Sequence, residues 1–469
     1  MKKLAVIMAG LTITFASCIK VDIDNSDNST GGGGGSYNTK QEEIIATKVI
    51  TGLINDGEIV ELPKGKYTLK GYVYVNQRAT LRFAAGSVIV SDSVVKGALI
   101  IEQNSRLFCE GTAAEPIIFT SGKSPATRQP GDWGGIVILG NAPTNRTTPP
   151  IIEGGINAVY GGSVAGDNSG ILRYVRIEFA GIAADPNSEI NGLTLGGVGN
   201  GTVIEYVQVS YGNDDAYEFF GGTVRAKYMI ALATADDDYD FDFGYSGSIQ
   251  FGVALRDPLF VDPGDAGNGI ECDNDATGSS ALPITRPILS NFTFCGPNGA
   301  AGTLNNHNYN MRWRRSTRFE VRNSILSGYR TGGFSMESNN TGQSYVDNNS
   351  IFRDNLVHAI ANPYFVPTSS GSPTIDPAII TAAGMKTKAE SEGCITYATA
   401  TEIQLENPFN LTAPNFLPKA GSPALSGANF PAGSNVANSF FTVTTYRGAF
   451  GTNNWMAQWT SFTPKANIY

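Results

Sequence analysis

Short apolar and alternating runs, each closed by Gly, Asn or Asp, fill the chain from residue 58 onward. Ile59-Val60-Glu61-Leu62, Tyr72-Val73-Tyr74-Val75, Thr80-Leu81-Arg82-Phe83, Val88-Ile89-Val90 and Ala98-Leu99-Ile100-Ile101 are of this kind. Runs this short, rich in β-branched and aromatic residues and bounded by turn formers, predict strands. Two stretches then nearly coincide at one period. Val203 to Gly222 and Arg225 to Gly244 place Tyr206 against Tyr228 and Asp214 against Asp236, each 22 residues apart. A period in this range marks a solenoid, whose units bury their apolar faces only against neighbouring units. With short strands and no helical spacing, the solenoid predicted is a single-stranded right-handed parallel β-helix, an all-β fold. Consecutive coils sit about 4.8 Å apart, so a repeat of Asp in sequence becomes a ladder of Asp in space.

The flanks read differently. Gln41 to Ile50 is amphipathic at helical spacing, and 41–57 is expected as a short helix capping the open end of the solenoid. The β-helix itself is expected over 58–430. Thr147-Thr148-Pro149-Pro150 cannot lie in a central strand, which makes 141–170 a loop insertion of about 30 residues, a length often tied to function. Residues 376–393, with Ala382, Ala383, Met385 and Ala389, predict a helical insertion. Gly421 to Leu425 resembles the motif that closes many β-helix chains. The segment 431–469 carries Trp455, Trp459 and Phe462 and is expected to pack on the last coils as a cap, since large aromatics are costly to leave in water.

Arg106-Leu107-Phe108-Cys109-Glu110-Gly111-Thr112 and Pro116 to Ser121 resemble the opening coils of right-handed parallel β-helix proteins. Gly131-Asp132-Trp133-Gly134-Gly135, Tyr174-Val175-Arg176-Ile177-Glu178, Asn191 to Leu195 and the Asp214-Asp215 turn resemble a group of Bacteroidota outer-membrane lipoproteins. The resemblance runs from about residue 58 to the end. It implies a right-handed parallel β-helix of the pectin-lyase-like kind and a place in the envelope, and it implies no chemistry.

The N-terminus bears on location. Lys2 and Lys3 precede an apolar run, Leu4 to Phe15, too short to span a membrane. Phe15-Ala16-Ser17-Cys18 resembles a lipoprotein box with Phe where Leu is usual, so 1–17 is expected to be a signal peptide and Cys18 to be lipidated. Residues 18–40, with Asp22, Asp24, Asp27 and Gly31 to Gly35, form a flexible tether. The acids resemble the signal that sends such lipoproteins to the outer face of the outer membrane. The expectation is therefore a lipid-anchored protein of the outer membrane, exposed at the cell surface. A net charge of −9 argues against nucleic acid as a partner. Cys272 and Cys295 lie 23 residues apart and could stack on neighbouring coils, either as buried thiols or as a disulfide.

Chemistry concentrates in residues 214–275, which hold fourteen of the chain's 42 acids and only Arg225, Lys227 and Arg256 as bases. Asp214, Asp215, Asp236, Asp237, Asp238, Asp240 and Asp242, followed by Glu271 and Asp273, would form stacked carboxylates. Such a stack repels itself unless a cation or arginine neutralises it. An oxygen-only ligand set suits Ca²⁺; a solvated structural ladder is the competing reading. A basic set follows: Arg312, Arg314 and Arg315 with Trp313 interleaved, then Arg318, Arg322 and Arg330. Period-2 spacing puts Arg312 and Arg314 on one face and Trp313 on the other. These residues would bind an anionic glycan or answer the acid ladder.

The resulting expectation is a non-enzymatic cell-surface β-helix module, binding a glycan or an envelope partner such as an outer-membrane transporter. The alternative is a Ca²⁺-dependent polysaccharide lyase acting on an acidic glycan. A glycosidase is a third class, since Gly212-Asn213-Asp214-Asp215 looks faintly like the Asp-Asp turn of polygalacturonases. Their Gly-His-Gly and Arg-Ile-Lys motifs do not occur here. Two histidines leave no Ser/His/Asp set to argue.

Overall fold

Apolar side chains at every second position of a strand need a partner layer, and here each coil supplies it to the next. The computed structural model describes residues 37–185, 188–367 and 374–469. Cys18, the signal peptide and most of the tether lie outside the described residues. Among those described, 27 strands form one continuous wound sheet, a parallel β-helix, with two further two-stranded pairings.

The coils present three faces. Val203–Ser210, Arg225–Leu232 and Ser248–Leu255 are long strands that bend once and so serve two faces each. Tyr217–Phe220, Tyr239–Asp242, Ile270–Cys272 and Tyr309–Trp313 lie on the third face. The expected period is met where no loop intrudes: Val203 pairs with Arg225 and Tyr217 with Tyr239, both 22 residues on. The interior is stacked by type, with Phe219 and Phe241 at 5.0 Å and Tyr217 and Tyr239 at 5.2 Å between ring centroids.

The bend between the first two faces falls on non-glycine residues in the left-handed region. Tyr174, Tyr206, Tyr228 and Phe251 have φ of 51°, 56°, 60° and 64°. Asn291, Asn323 and Asp354 continue the corner at 58°, 55° and 59°. Asn and Asp tolerate this region, but an aromatic residue there is strained by about 1–3 kcal/mol. Ring stacking opposes the cost at about 0.5–1.5 kcal/mol per pair. Tyr174–Tyr206, Tyr206–Tyr228 and Tyr228–Phe251 stack at 4.4, 4.3 and 4.9 Å. The stacking of Tyr206 on Tyr228 is as the repeat predicts.

The final segment runs back along this corner. Asn429 meets Asn323, Thr442 meets Gln250, Ser461 meets Gln208 and Tyr469 meets Arg176 and Glu178. Trp455 and Trp459 pack edge-on against Tyr206 at 6.4 and 6.0 Å. It is thus a strap over many coils rather than a cap on the last ones.

Three boundaries differ from expectation. Helix α1 spans Lys40–Thr47 and stops there. Val49–Ile54 is already a strand, paired with Lys66–Val75, so the solenoid begins before residue 58. Val49, Ile50 and Thr51 are β-branched, which outweighs their helical spacing. Helix α2, Asn339–Val346, was not expected, because Asn, Gly and Thr are weak helix formers. Helix α3 occupies Ala382–Ser391 of the expected helical insertion. The last parallel pairing joins Leu356 and Val357 to Ile395 and Thr396, short of residue 430.

Cys272 and Cys295 do not stack. Cys272 pairs with Phe241 and Trp313 on the third face, Cys295 with Leu255 and Ser327 on the second. Both are buried free thiols. Loop insertions of unequal length make a separation of 23 residues something other than one coil.

Candidate metal centre

Each third-face strand is entered through a turn whose residue two before the strand faces the next coil. Asn191, Asp215, Asp237 and Asn268 hold that position before Leu193, Tyr217, Tyr239 and Ile270. Asp215, Asp237 and Asn268 form one hydrogen-bonded ladder; Asn191 stands beside it and its amide donates to Thr194 and Glu218 instead. Asp237 N–H donates to Asp215 Oδ1 at 2.8 Å, and Asn268 N–H donates to Asp237 Oδ1 at 2.6 Å. Tyr309 N–H then donates to Asn268 Oδ1 at 3.1 Å. Asn268 therefore performs the backbone task with a neutral amide. The second oxygen of Asp215 and of Asp237 is not needed for it and remains available.

The strands add an outward row in register, Thr194, Glu218, Asp240, Glu271, Arg312. Row and ladder together bring ligand oxygens within 4.8 Å of one another in three overlapping triads. These are Asp214, Asp215 and Asp236; Asp215, Glu218 and Asp240; and Asp237, Asp240 and Glu271. Asp240 Oδ1 is buried and has no hydrogen-bond partner among the described residues.

The two ends of the row differ in charge. Glu271 accepts from Arg312 at 2.9 Å and from Arg314; Asp273 accepts from Arg314 at 2.8 Å and Arg315 at 2.6 Å. Arg312 also donates to Glu337 at 2.8 Å. Among the described residues, Asp214, Asp215, Glu218, Asp236, Asp237 and Asp240 have no basic group within ion-pair distance; of the acids from Asp214 to Asp240, Asp238 alone is paired, with Arg256. Burial first, and then mutual repulsion, push Asp215, Asp236, Asp237, Asp240 and Glu218 well above the ordinary carboxylate range. Asp214 is pushed up to about 8 by burial and by Glu153 and Glu189.

Of the sequence-predicted ligands, Asp214, Asp215, Asp236, Asp237, Asp240 and Glu271 come together. Asp238 does not. It points into the coil, fully buried, and bonds Arg256 Nη1 at 3.2 Å, Tyr329 Oη at 2.8 Å and Thr234 Oγ1 at 3.0 Å. It lies in the turn just before the strand Tyr239–Asp242, where strand alternation does not apply, and its interior partners Arg256, Tyr329 and Thr234 hold it inside. Asp242 accepts from Phe243 N–H at 2.6 Å, and Asp273 is committed to arginines. Neither joins a triad. Trp313 is a further correction: it is interior, its ring 4.5 Å from Phe319, so only the arginines of that set reach the surface.

Glu153 was missed. It lies in the insertion, whose Ile152, Ile156 and Tyr160 pack with Ile100, Val137 and Ile190 on the third face. That docking places Glu153 beside Glu218, with Asn191 Nδ2 donating to both at 3.4 and 2.5 Å. No repeat or motif marks Glu153 in the sequence. Asn191 and Asn268 did carry a signal, their constant offset before a strand.

The chain matches the model of the pectate-lyase-like β-helix domain over residues 52–400. It belongs to that family. No curated protein and no solved structure matches the chain. In this pectate-lyase-like β-helix the carboxylates fit a hard cation, which takes oxygen donors in number and tolerates irregular geometry. Asp214, Asp215, Glu218, Asp236, Asp237, Asp240 and Glu271 would supply them.

Proposed function

We propose that this β-helix is a cell-surface binding module that holds Ca²⁺ on its third face and captures an acidic glycan through it. The observation that carries the reading is the run of three overlapping carboxylate triads without counter-charge at the Asp214 end. Buried like charges are costly unless a cation or protons neutralise them, and Asn268 supports the view that the ladder alone does not require acids. A cation held by the coil keeps outward positions for ligand carboxylates. Arg312, Arg314 and Arg315 bound the site on one side and orient Glu271 and Asp273.

Ca²⁺ at a hundred times its dissociation constant should stabilise the fold by about 3 kcal/mol through mass action, read as a rise in melting temperature that chelator reverses. Asp215→Asn with Asp237→Asn should remove the response while keeping the ladder. Without Ca²⁺, the sign of the pH dependence follows from the raised carboxyls. The native state retains protons that the unfolded chain has lost, so stability falls as pH rises from about 4 to about 8, where Asp214 titrates. Ca²⁺ should flatten that slope. Indifference of melting to both Ca²⁺ and chelator would remove the cation from the reading.

A Ca²⁺-dependent lyase is the second reading, favoured by the description of the family. A lyase also needs a base beside the sugar. Burial lowers the Arg312 and Arg314 pKa, but Glu271 leads a set of carboxylates that raises both overall, and a guanidinium held in this way keeps its proton. Incubation with acidic polysaccharide should therefore yield capture and no unsaturated product absorbing in the ultraviolet.

The location belongs to the same proposal. Lipidation of Cys18 would tether the module to the outer membrane through the Gly-rich stretch, beside a transporter or other envelope partner. Cys18→Ser should shift the protein from the membrane fraction to the soluble one; retention in washed membranes would refute the anchor.

A further inference from the structure

A second set of charges lies away from the carboxylate row, on the first face beside the C-terminal strap. Arg225 and Lys227 are two apart on one strand and so project to the same side. With Phe440 of the strap they line a cleft of about 230 Å³, to which Asn200, Thr202 and Ser439 add polar groups.

The cations there are under-compensated. In register above them stand Val203 and Glu205, and below them Ser248 and Gln250. Glu205, which also lines the cleft, is the one carboxylate in that neighbourhood among the described residues, and Arg173 takes it at 3.0 Å. Arg225 is exposed and has no carboxylate in ion-pair distance among the described residues. Lys227 donates to Thr442 Oγ1 at 3.0 Å, a neutral partner. Burial pulls the Lys227 ammonium below its ordinary range, and Glu205 restores part of it. Both cations flank the Phe440 ring, at 5.7 Å for Arg225 and 4.9 Å for Lys227. Ring contact fixes them toward the cleft but supplies no counter-charge. A partly desolvated ammonium and a guanidinium side by side are best satisfied by an anion, and the guanidinium fork matches carboxylate and sulfate alike. The polar rim suits hydroxyl groups, and the net charge of −9 repels dense polyanions.

We propose that this cleft is a binding subsite for the carboxylate or sulfate groups of an anionic oligosaccharide, independent of any bound cation. The test is calorimetric titration of the whole protein in chelator, which silences a cation-dependent site. The probes are a tetragalacturonate, a sulfated tetrasaccharide and neutral cellotetraose. At least one anionic probe should bind and the neutral one should not; which binds decides between carboxylate and sulfate. Arg225→Ser, at an exposed position where folding is not at stake, should weaken binding at least tenfold. Phe440→Ala should weaken it too, by releasing both cations from their orientation. Absence of anionic binding in chelator would overturn the subsite, and binding that returns only with Ca²⁺ would do so while leaving the cation reading intact. Equal binding of cellotetraose, or an unchanged dissociation constant in Arg225→Ser, would also overturn it.

Discussion

Arg256→Met should destabilise the fold by about 3–5 kcal/mol at neutral pH, the usual cost of leaving one partner of a buried ion pair without the other. Arg256 and Asp238 are both fully buried inside the coil, and their contact is 3.2 Å. Arg256 also donates to the Asp236 carbonyl at 2.5 Å and the Ala235 carbonyl at 3.2 Å. It therefore clamps the turn that carries Asp236 and Asp237. Burial pushes the Asp238 carboxyl up, and Arg256, Tyr329 and Thr234 pull it back. Removal of Arg256 takes away the largest of these, so Asp238 should bind a proton. The variant's stability then falls with rising pH, and its deficit relative to wild type should shrink toward pH 4. Denaturant melts at two pH values measure this. A further change, Asp238→Asn, should recover part of the loss by removing the stranded charge. A deficit under 1 kcal/mol at neutral pH, or one independent of pH, would show that the pair is not what holds the turn. Ca²⁺ affinity provides a separate readout: a loosened turn should weaken binding even though Arg256 bonds only the backbone of Asp236 and no ligand carboxylate.

Trp459→Ala should cost about 3–5 kcal/mol, as large aromatic truncations in packed cores do. Trp459 is fully buried although it belongs to the strap. It lies 5.9 Å from Tyr174 and 6.0 Å from Tyr206, edge to face, and its indole N–H donates to the Trp455 carbonyl at 2.9 Å. The rings beneath it sit on left-handed backbone, so the contact offsets strain as well as burying area. Loss of Trp459 uncovers that corner over several coils. Hydrogen exchange should quicken at Tyr174 and Tyr206 before it quickens at Tyr217 or Phe241 in the interior. If denaturant melts show no loss, the strap is an ornament and the corner is stable by itself.

The 22-residue repeat was enough to specify the solenoid, because in a parallel β-helix the sequence period is the spatial period. Stacking of Tyr206 on Tyr228, and the meeting of Asp214 and Asp215 with Asp236 and Asp237, follow from that alone. So does the opposition of Arg312 and Arg314 to Trp313, which needs only strand alternation. Regularity also misled where it broke. The spacing of Cys272 and Cys295 mimicked one coil although loops of other lengths intervene. Asp238 shared the spacing of its neighbours, yet in the turn before the strand it faces inward, onto Arg256, Tyr329 and Thr234.

Contacts between segments far apart in the chain have no period, and only the tertiary structure decided them. Glu153 reaches the acid row because the insertion buries Ile152, Ile156 and Tyr160 on the third face. Arg256 meets Asp238 from the following coil, and the strap meets Arg225 and Lys227 across some 200 residues of chain. Local pattern determines which face a side chain takes. Which charges find a partner depends on how loops and strap close over the coils, and that sets where this protein is left with carboxylates lacking cations and cations lacking carboxylates.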